Sequence, residues 1–189
     1  MRDRSIHYYE RMFRTIQVLP EKDDLVRQAG EKVLQQRSLY EAVQAATGVP
    51  WVFVGLIHLM ESGCEPLCQI YNGQRWDRKT TIHPSGRGPW ADWPTAAIDA
   101  LKRMGMLGLY WSIALILRRL EQWNGWGYGK KGLDSDYLVG LSDWDDPGKY
   151  VADGSYDVTA DTKQVGAALV LRWLHDNGHW MMEEENLLA

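Results

Sequence analysis

Cysteine is scarce in this 189-residue chain: there are two, Cys64 and Cys68, four positions apart. That excludes a disulfide framework, and without a histidine pair at ligand spacing nearby it excludes a cysteine-based zinc site. The pair reads either as one short loop-pinning disulfide or as two reduced, half-buried thiols. Long apolar runs are missing as well. The longest, Val49 to Met60, falls short of the roughly 20 residues that span a bilayer, so no stable membrane insertion is expected. The start, Met1-Arg2-Asp3-Arg4-Ser5, lacks the apolar centre of a secretory signal. A protein made in the cytoplasm is expected, reaching any target outside with help. Surplus positive charge is absent: the formal net charge of −4 argues against a nucleic-acid partner, whose phosphates demand a basic face. No internal repeat and no linker divides the sequence, so one domain over 1–189 is expected, acting as a monomer.

Phenylalanine is the rare aromatic, with two residues against ten Trp and nine Tyr. Trp and Tyr combine a flat apolar face with a hydrogen-bonding edge, which suits partly wet surfaces and the C–H faces and hydroxyl rims of sugars. Trp51, Trp111 and Trp173 fall within apolar segments and read as core. Trp76, Trp90, Trp93, Trp123, Trp126 and Trp144 fall in or beside Gly-, Pro- and Asp-rich stretches and are the candidates for a groove.

Periodicity gives a mainly α chain. Ile6, Tyr9, Phe13 and Ile16 share a helical face within Ser5 to Ile16. Leu25, Ala29, Val33 and Tyr40 recur at helical spacing between Glu21 and Ala46, one or two amphipathic helices. From Gly63 to Trp93 the texture changes to Gly and Pro with short β-prone runs, Gln69-Ile70-Tyr71 and Thr80-Thr81-Ile82, and Asn72-Gly73 is a tight-turn signal between them. A small β-hairpin and loop is expected there. Helices follow over Pro94 to Met104 and Leu107 to Trp123, the latter ended by Asn124-Gly125. Trp126 to Ser155 promises at most short helical turns. A last helix is expected over Asp161 to His175, with Val165, Ala168, Leu169 and Trp173 inward, and Glu183 to Glu185 begin a frayed tail.

One segment carries chemistry. Between Val49 and Met60 only Gly55 and His58 interrupt the apolar residues, so the helix that Pro50 opens is expected to be buried all round. Glu61 follows at its end, and Ser62-Gly63 stop it. A carboxyl emerging there, partly stripped of water, would favour its protonated form, as a general acid working near neutral pH requires. The alternative is that Glu61 is the first solvated residue after a core helix. His58, one turn earlier, reads as a satisfied core histidine.

A buried helix ending in Glu-Ser, then a small hairpin lobe, then a helical bundle resembles the lysozyme-like superfamily of peptidoglycan-cleaving enzymes. Met60-Glu61-Ser62 is similar to the Glu-Ser signature of goose-type lysozymes and lytic transglycosylases. The stretches 49–62, Tyr71-Asn72-Gly73, 124–128 and 148–154 resemble a family of phage and bacterial lysozyme-like hydrolases. The resemblance implies a peptidoglycan glycosidase of endolysin type, with glycan strands as its partner and neither cofactor nor metal. It implies Glu61 as general acid, with Asp77 and Thr81 in the places of a hairpin Asp and a water-positioning Thr. That pattern sets its Asp nearer the Glu, and Gln74 stands where relatives carry Asp. Asp143, Asp145 and Asp146 are a second source of a carboxylate, and a transglycosylase needs none. Tyr71, Asn72, Asn124, Trp126, Tyr128 and Tyr150 are the implied sugar contacts, while Asn72 and Asn124 equally suit turn and helix-end duty. Arg75, Arg78, Lys79 and Arg87 make the hairpin lobe basic, suiting either anionic stem peptides or a solvated face.

Overall fold

A computed structural model describes residues 4–152 and 154–182. Asp153 of the 148–154 stretch and the tail from Glu183 lie outside the described residues. The chain is mainly helical with a small two-stranded antiparallel sheet. It divides into two compact units, Met1–Gly30 with Ser112–Ala189, and Glu31–Trp111.

In the Glu31–Trp111 unit, α3 (Arg37–Thr47) packs against α4 (Trp51–Ser62) and α5 (Trp93–Arg103). Every residue of α4 from Trp51 to Met60 is buried, as a helix without a polar face must be. Burying each large apolar side chain contributes about 1.5–3 kcal/mol, so α4 anchors this unit. Close approach depends on Gly55, where an added Cβ would stand 2.8 Å from Val33 Cγ1 and 2.9 Å from the Tyr40 ring. Gly63 ends α4 in the left-handed conformation, its N–H reaching the His58 and Leu59 carbonyls. Among α5's signals, Asp92 accepts from the Thr95 N–H as N-cap and Pro94 opens the first turn.

The expected hairpin between Gly63 and Trp93 is instead an irregular loop. One antiparallel bridge, Cys68 to Arg75, flanks the Asn72-Gly73 turn, with Gln69 N–H donating to the Gln74 carbonyl. Thr81 and Ile82 do not ladder onto it. Both of their N–H groups bond the Gln74 side chain, at 2.9 and 3.1 Å, so an amide side chain stands in for a partner strand.

In the other unit, α1 (Ile6–Thr15), α6 (Ile113–Asn124), α8 (Asp136–Val139) and α9 (Ala167–Asp176) pack together. The boundary at Gly30 falls inside α2 (Asp23–Gln35). Its inward stripe is Val26, Ala29 and Val33, while Leu25, expected inward, is exposed; a helix beginning at Asp23 puts Val26, three and seven residues before the other two, on their face. Helix α6 begins at Ile113 rather than Leu107, because Ser112 caps it through the Leu115 N–H. Helix α9 begins six residues after Asp161, behind an extended Gly166.

The sheet lies where only short helical turns were expected: β1 (Lys149–Ala152) pairs with β2 (Ser155–Asp157), Lys149 opposite Asp157 and Tyr150 opposite Tyr156. Before it comes α7 (Gly127–Lys131). A buried polar network ties the first residues to this unit. Arg4 pairs with Asp134 at 3.0 Å and Glu121 at 3.2 Å, the Tyr8 hydroxyl donates to Asp134 and the Tyr9 hydroxyl donates to Glu121 at 2.7 Å. Paired in this way, the buried carboxylates avoid most of the cost of lone buried charge.

Candidate functional site

Glu61 occupies the last turn of α4 and is half-buried. The loop that follows folds back onto the helix end. At Gly73 an added Cβ would lie 2.6 Å from the Glu61 carbonyl oxygen, and its φ of +67° is one that side-chain-bearing residues rarely adopt. The Asn72-Gly73 turn therefore rests directly against the backbone of Glu61. Ser62 Oγ donates to the His58 carbonyl at 3.1 Å, tightening the same turn.

His58 is fully buried and saturated. Its Nε2 faces the Glu65 carbonyl, an obligate acceptor, so Nε2 carries the hydrogen; Nδ1 then accepts the Tyr40 hydroxyl, each at 2.9 Å. Burial holds this imidazole below its usual range, outweighing the hydrogen bonds that raise it. It is a core histidine with no free valence for catalysis. Cys64 and Cys68 are both free thiols, and burial pushes Cys64 up to about 11, leaving an inert thiol.

Gln74, Asn72 and Thr80 organise the loop. Gln74 Nε2 donates to Thr81 Oγ1 at 2.8 Å. Asn72 accepts from the Gln69 side chain and the Gln74 N–H, and donates to the His83 carbonyl at 3.1 Å. Its side chain thus serves the turn. Thr80 Oγ1 donates to the Pro84 carbonyl and accepts from the Arg87 N–H. Thr81 stands exposed beside Gln74. Tyr71 is half-buried, with the Arg103 guanidinium 5.9 Å from its ring centroid.

Asp77 is exposed and tied to arginines: both oxygens accept from Arg75, one at 2.9 Å, and Arg78 lies 3.5 Å away. The Arg75 hydrogen bond is the main reason its carboxyl is held below the usual range, so it is ionised wherever the protein is folded near neutrality. Arg87 pairs with Asp99. Of the four basic residues in this lobe, three have acidic partners on the lobe or α5, and Lys79 is exposed.

The other implied sugar contacts belong to the unit containing Ser112–Ala189. Asn124, Tyr128 and Tyr150 line a cleft of about 970 Å³ there. Asn124 ends α6 and donates to Ser135 Oγ at 3.2 Å. Tyr128 is buried, and its hydroxyl accepts the Tyr150 N–H at 3.1 Å; the Tyr150 hydroxyl donates to the Gly127 carbonyl at 3.3 Å. The rings of Tyr128, Tyr150 and Tyr156 meet edge to face, 5.0 to 6.1 Å apart. Trp126 is exposed and caps α7. Trp93 and Trp123, two of the candidates for a groove, are core residues; Trp93 Nε1 donates to the Cys68 carbonyl at 2.8 Å. Trp144 packs on Tyr8, centroids 5.8 Å apart.

The acidic loop does backbone work. Asp143 accepts from Gln17 N–H, Asp145 from Leu141 N–H and Asp146 from Asp134 N–H, at 2.8 to 3.1 Å. Asp136 is the carboxylate that sequence reasoning missed. It lines the cleft, and burial first, then the Asp145 charge, pushes it up to about 6. The available signal was a lone acid in the apolar string Asp136-Tyr137-Leu138-Val139. Among the described residues, no three His, Cys, Asp or Glu side chains gather as a metal site.

No protein-family model matches the chain, and comparison with curated proteins and with solved structures returns no match. The lysozyme-like resemblance rests on the sequence motifs alone.

Proposed function

We propose that the protein is a peptidoglycan glycosidase of lysozyme type, with Glu61 as the general acid that protonates the glycosidic oxygen between two amino sugars. The observation that carries the reading is the position of Glu61, half-buried at the end of an otherwise wholly buried helix with the Asn72-Gly73 turn pressed against its backbone. A half-buried carboxyl at the end of an apolar helix suits acid catalysis, which needs a carboxyl with restricted access to water. Thr81, held by Gln74, orients the attacking water, and Asp77 supplies negative charge to the oxocarbenium-like centre.

A second reading, lytic transglycosylation, draws on the arginine contacts of Asp77. With both oxygens on Arg75 and Arg78 alongside, its charge is largely neutralised. The substrate's own acetamido group then takes the second role and an anhydro-sugar is released. The Glu61→Gln variant tests both readings. It is expected to fold with an unchanged melting temperature and to sediment with purified cell walls, while dye release from labelled walls falls at least about 100-fold, the scale of a positioned general acid. Lysis at the wild-type rate by Glu61→Gln contradicts the assignment.

A further inference from the structure

Three lysines and one carboxyl share the cleft beside the sheet. Lys130 comes from α7, Lys149 from β1 and Lys163 from the segment before α9, and Asp136 opens α8. Asp136 Oδ1 is buried with no hydrogen-bond partner, a state that native structures rarely leave standing without a use. The carboxyl meets the Tyr128 hydroxyl as a hydrogen-bond partner from α7, Asp145 as a like charge from the acidic loop, and Lys149 as an opposite charge from β1. Tyr156 of β2 also feels its charge. Burial first, then the Asp145 charge, outweighs the Tyr128 hydrogen bond and Lys149, so the neutral form prevails at mildly acidic pH, and a neutral carboxyl donates a hydrogen bond while its rim attracts anions.

We propose that Asp136 anchors a ligand in this cleft, donating a hydrogen bond from its unpartnered oxygen to an oxygen of an anionic amino sugar whose carboxylate lies against Lys130, Lys149 and Lys163. The volume, about 970 Å³, suits a ligand of a few rings. The edge-to-face tyrosines provide an apolar wall for a sugar face, their hydroxyls being engaged within the protein. A neutral sugar gains nothing from the lysines, and an ionised Asp136 repels an anionic one. The choice of an amino sugar rests on the function proposed above; the anchor role of Asp136 rests on the cleft itself.

The test is calorimetric titration of the full chain with N-acetylglucosaminyl-N-acetylmuramic acid, and with the neutral N,N′-diacetyl form of chitobiose as control, at pH 5 and pH 7.5. The ligand carboxylate stays ionised across that interval. The wild type is expected to bind the acidic disaccharide at least about tenfold more tightly at pH 5 than at pH 7.5, as Asp136 ionises. Asp136→Asn, isosteric and permanently neutral, binds equally at both pH values and exceeds the wild type at pH 7.5. Chitobiose binds at least about tenfold more weakly than the acidic sugar at pH 5. A wild-type affinity independent of pH, an Asp136→Asn variant that follows the wild type, or equal binding of the two sugars overturns the inference. Binding is read without turnover. A refuted anchor thus leaves lysis by the wild-type chain intact, and inert cell walls with pH-dependent disaccharide binding refute the function alone.

Discussion

Histidine 58 and aspartate 136 show how burial acts with opposite sign on acid and base. Burial keeps His58 neutral below the ordinary imidazole range, so on acidification the unfolded chain takes a proton that the folded chain refuses. Its contribution to stability is complete above about pH 6.5 and is lost as pH falls below that value, at up to about 1.4 kcal/mol per pH unit. Asp136 is raised to about 6, so its folded form keeps a proton the unfolded chain releases, and its contribution is lost as pH rises from about 4 through 6. Denaturant unfolding from pH 5 to 7 separates them. His58→Gln is expected to be less stable than the wild type at pH 7 but to lose less on going to pH 5. An unchanged slope between pH 5 and 7 contradicts the buried neutral imidazole. His58 was legible because an imidazole inside an apolar run has to be satisfied internally. Asp136 was not, because its burial comes from segments distant in sequence.

Helix α4 was legible almost to the residue, since a run with no polar face admits one environment. What the pattern could not supply was the partner at Gly55. An alanine there gains about 1 kcal/mol of helix propensity but drives a methyl to within 2.8–2.9 Å of Val33 and Tyr40, an overpacking that costs about 1–3 kcal/mol. Gly55→Ala is therefore expected to lower the unfolding free energy by up to about 2 kcal/mol; a gain in stability contradicts the close packing. The loop from Gly63 to Trp93 was misread as a hairpin because Asn72-Gly73 marks a turn whether or not its arms ladder. Gln74 occupies the place of the missing strand. Gln74→Ala removes three hydrogen bonds and is expected to speed amide exchange at Thr81 and Ile82 at least about tenfold with little change at α4. Unaltered exchange at both amides contradicts its role. The sheet at Lys149–Asp157 went unread although Asp153-Gly154 is a hairpin signal, because arms of four and three residues are too short for an alternating pattern to stand out.

At the scale of the molecule, the sequence motifs fall into both compact units: Glu61, Tyr71, Asn72, Asp77 and Thr81 in Glu31–Trp111, and Asn124, Trp126, Tyr128 and Tyr150 in the other. Helical content was readable from periodicity, whereas the assignment of tryptophans to groove or core was not, since Trp93 and Trp123 sit among polar neighbours in sequence and apolar ones in space. Local composition does not report contacts made across many residues. The proposed activity is the cutting of glycan by the whole chain through one acid. Its most direct measurement is mass spectrometry of the fragments released from purified bacterial sacculi by the wild type and by Glu61→Gln. The wild type is expected to release disaccharide-peptides, with hydrated ends for hydrolysis or ends lighter by one water for transglycosylation, and the variant none. Sacculi whose glycan strands stay uncut by the wild type, or equal release by the variant, would contradict it.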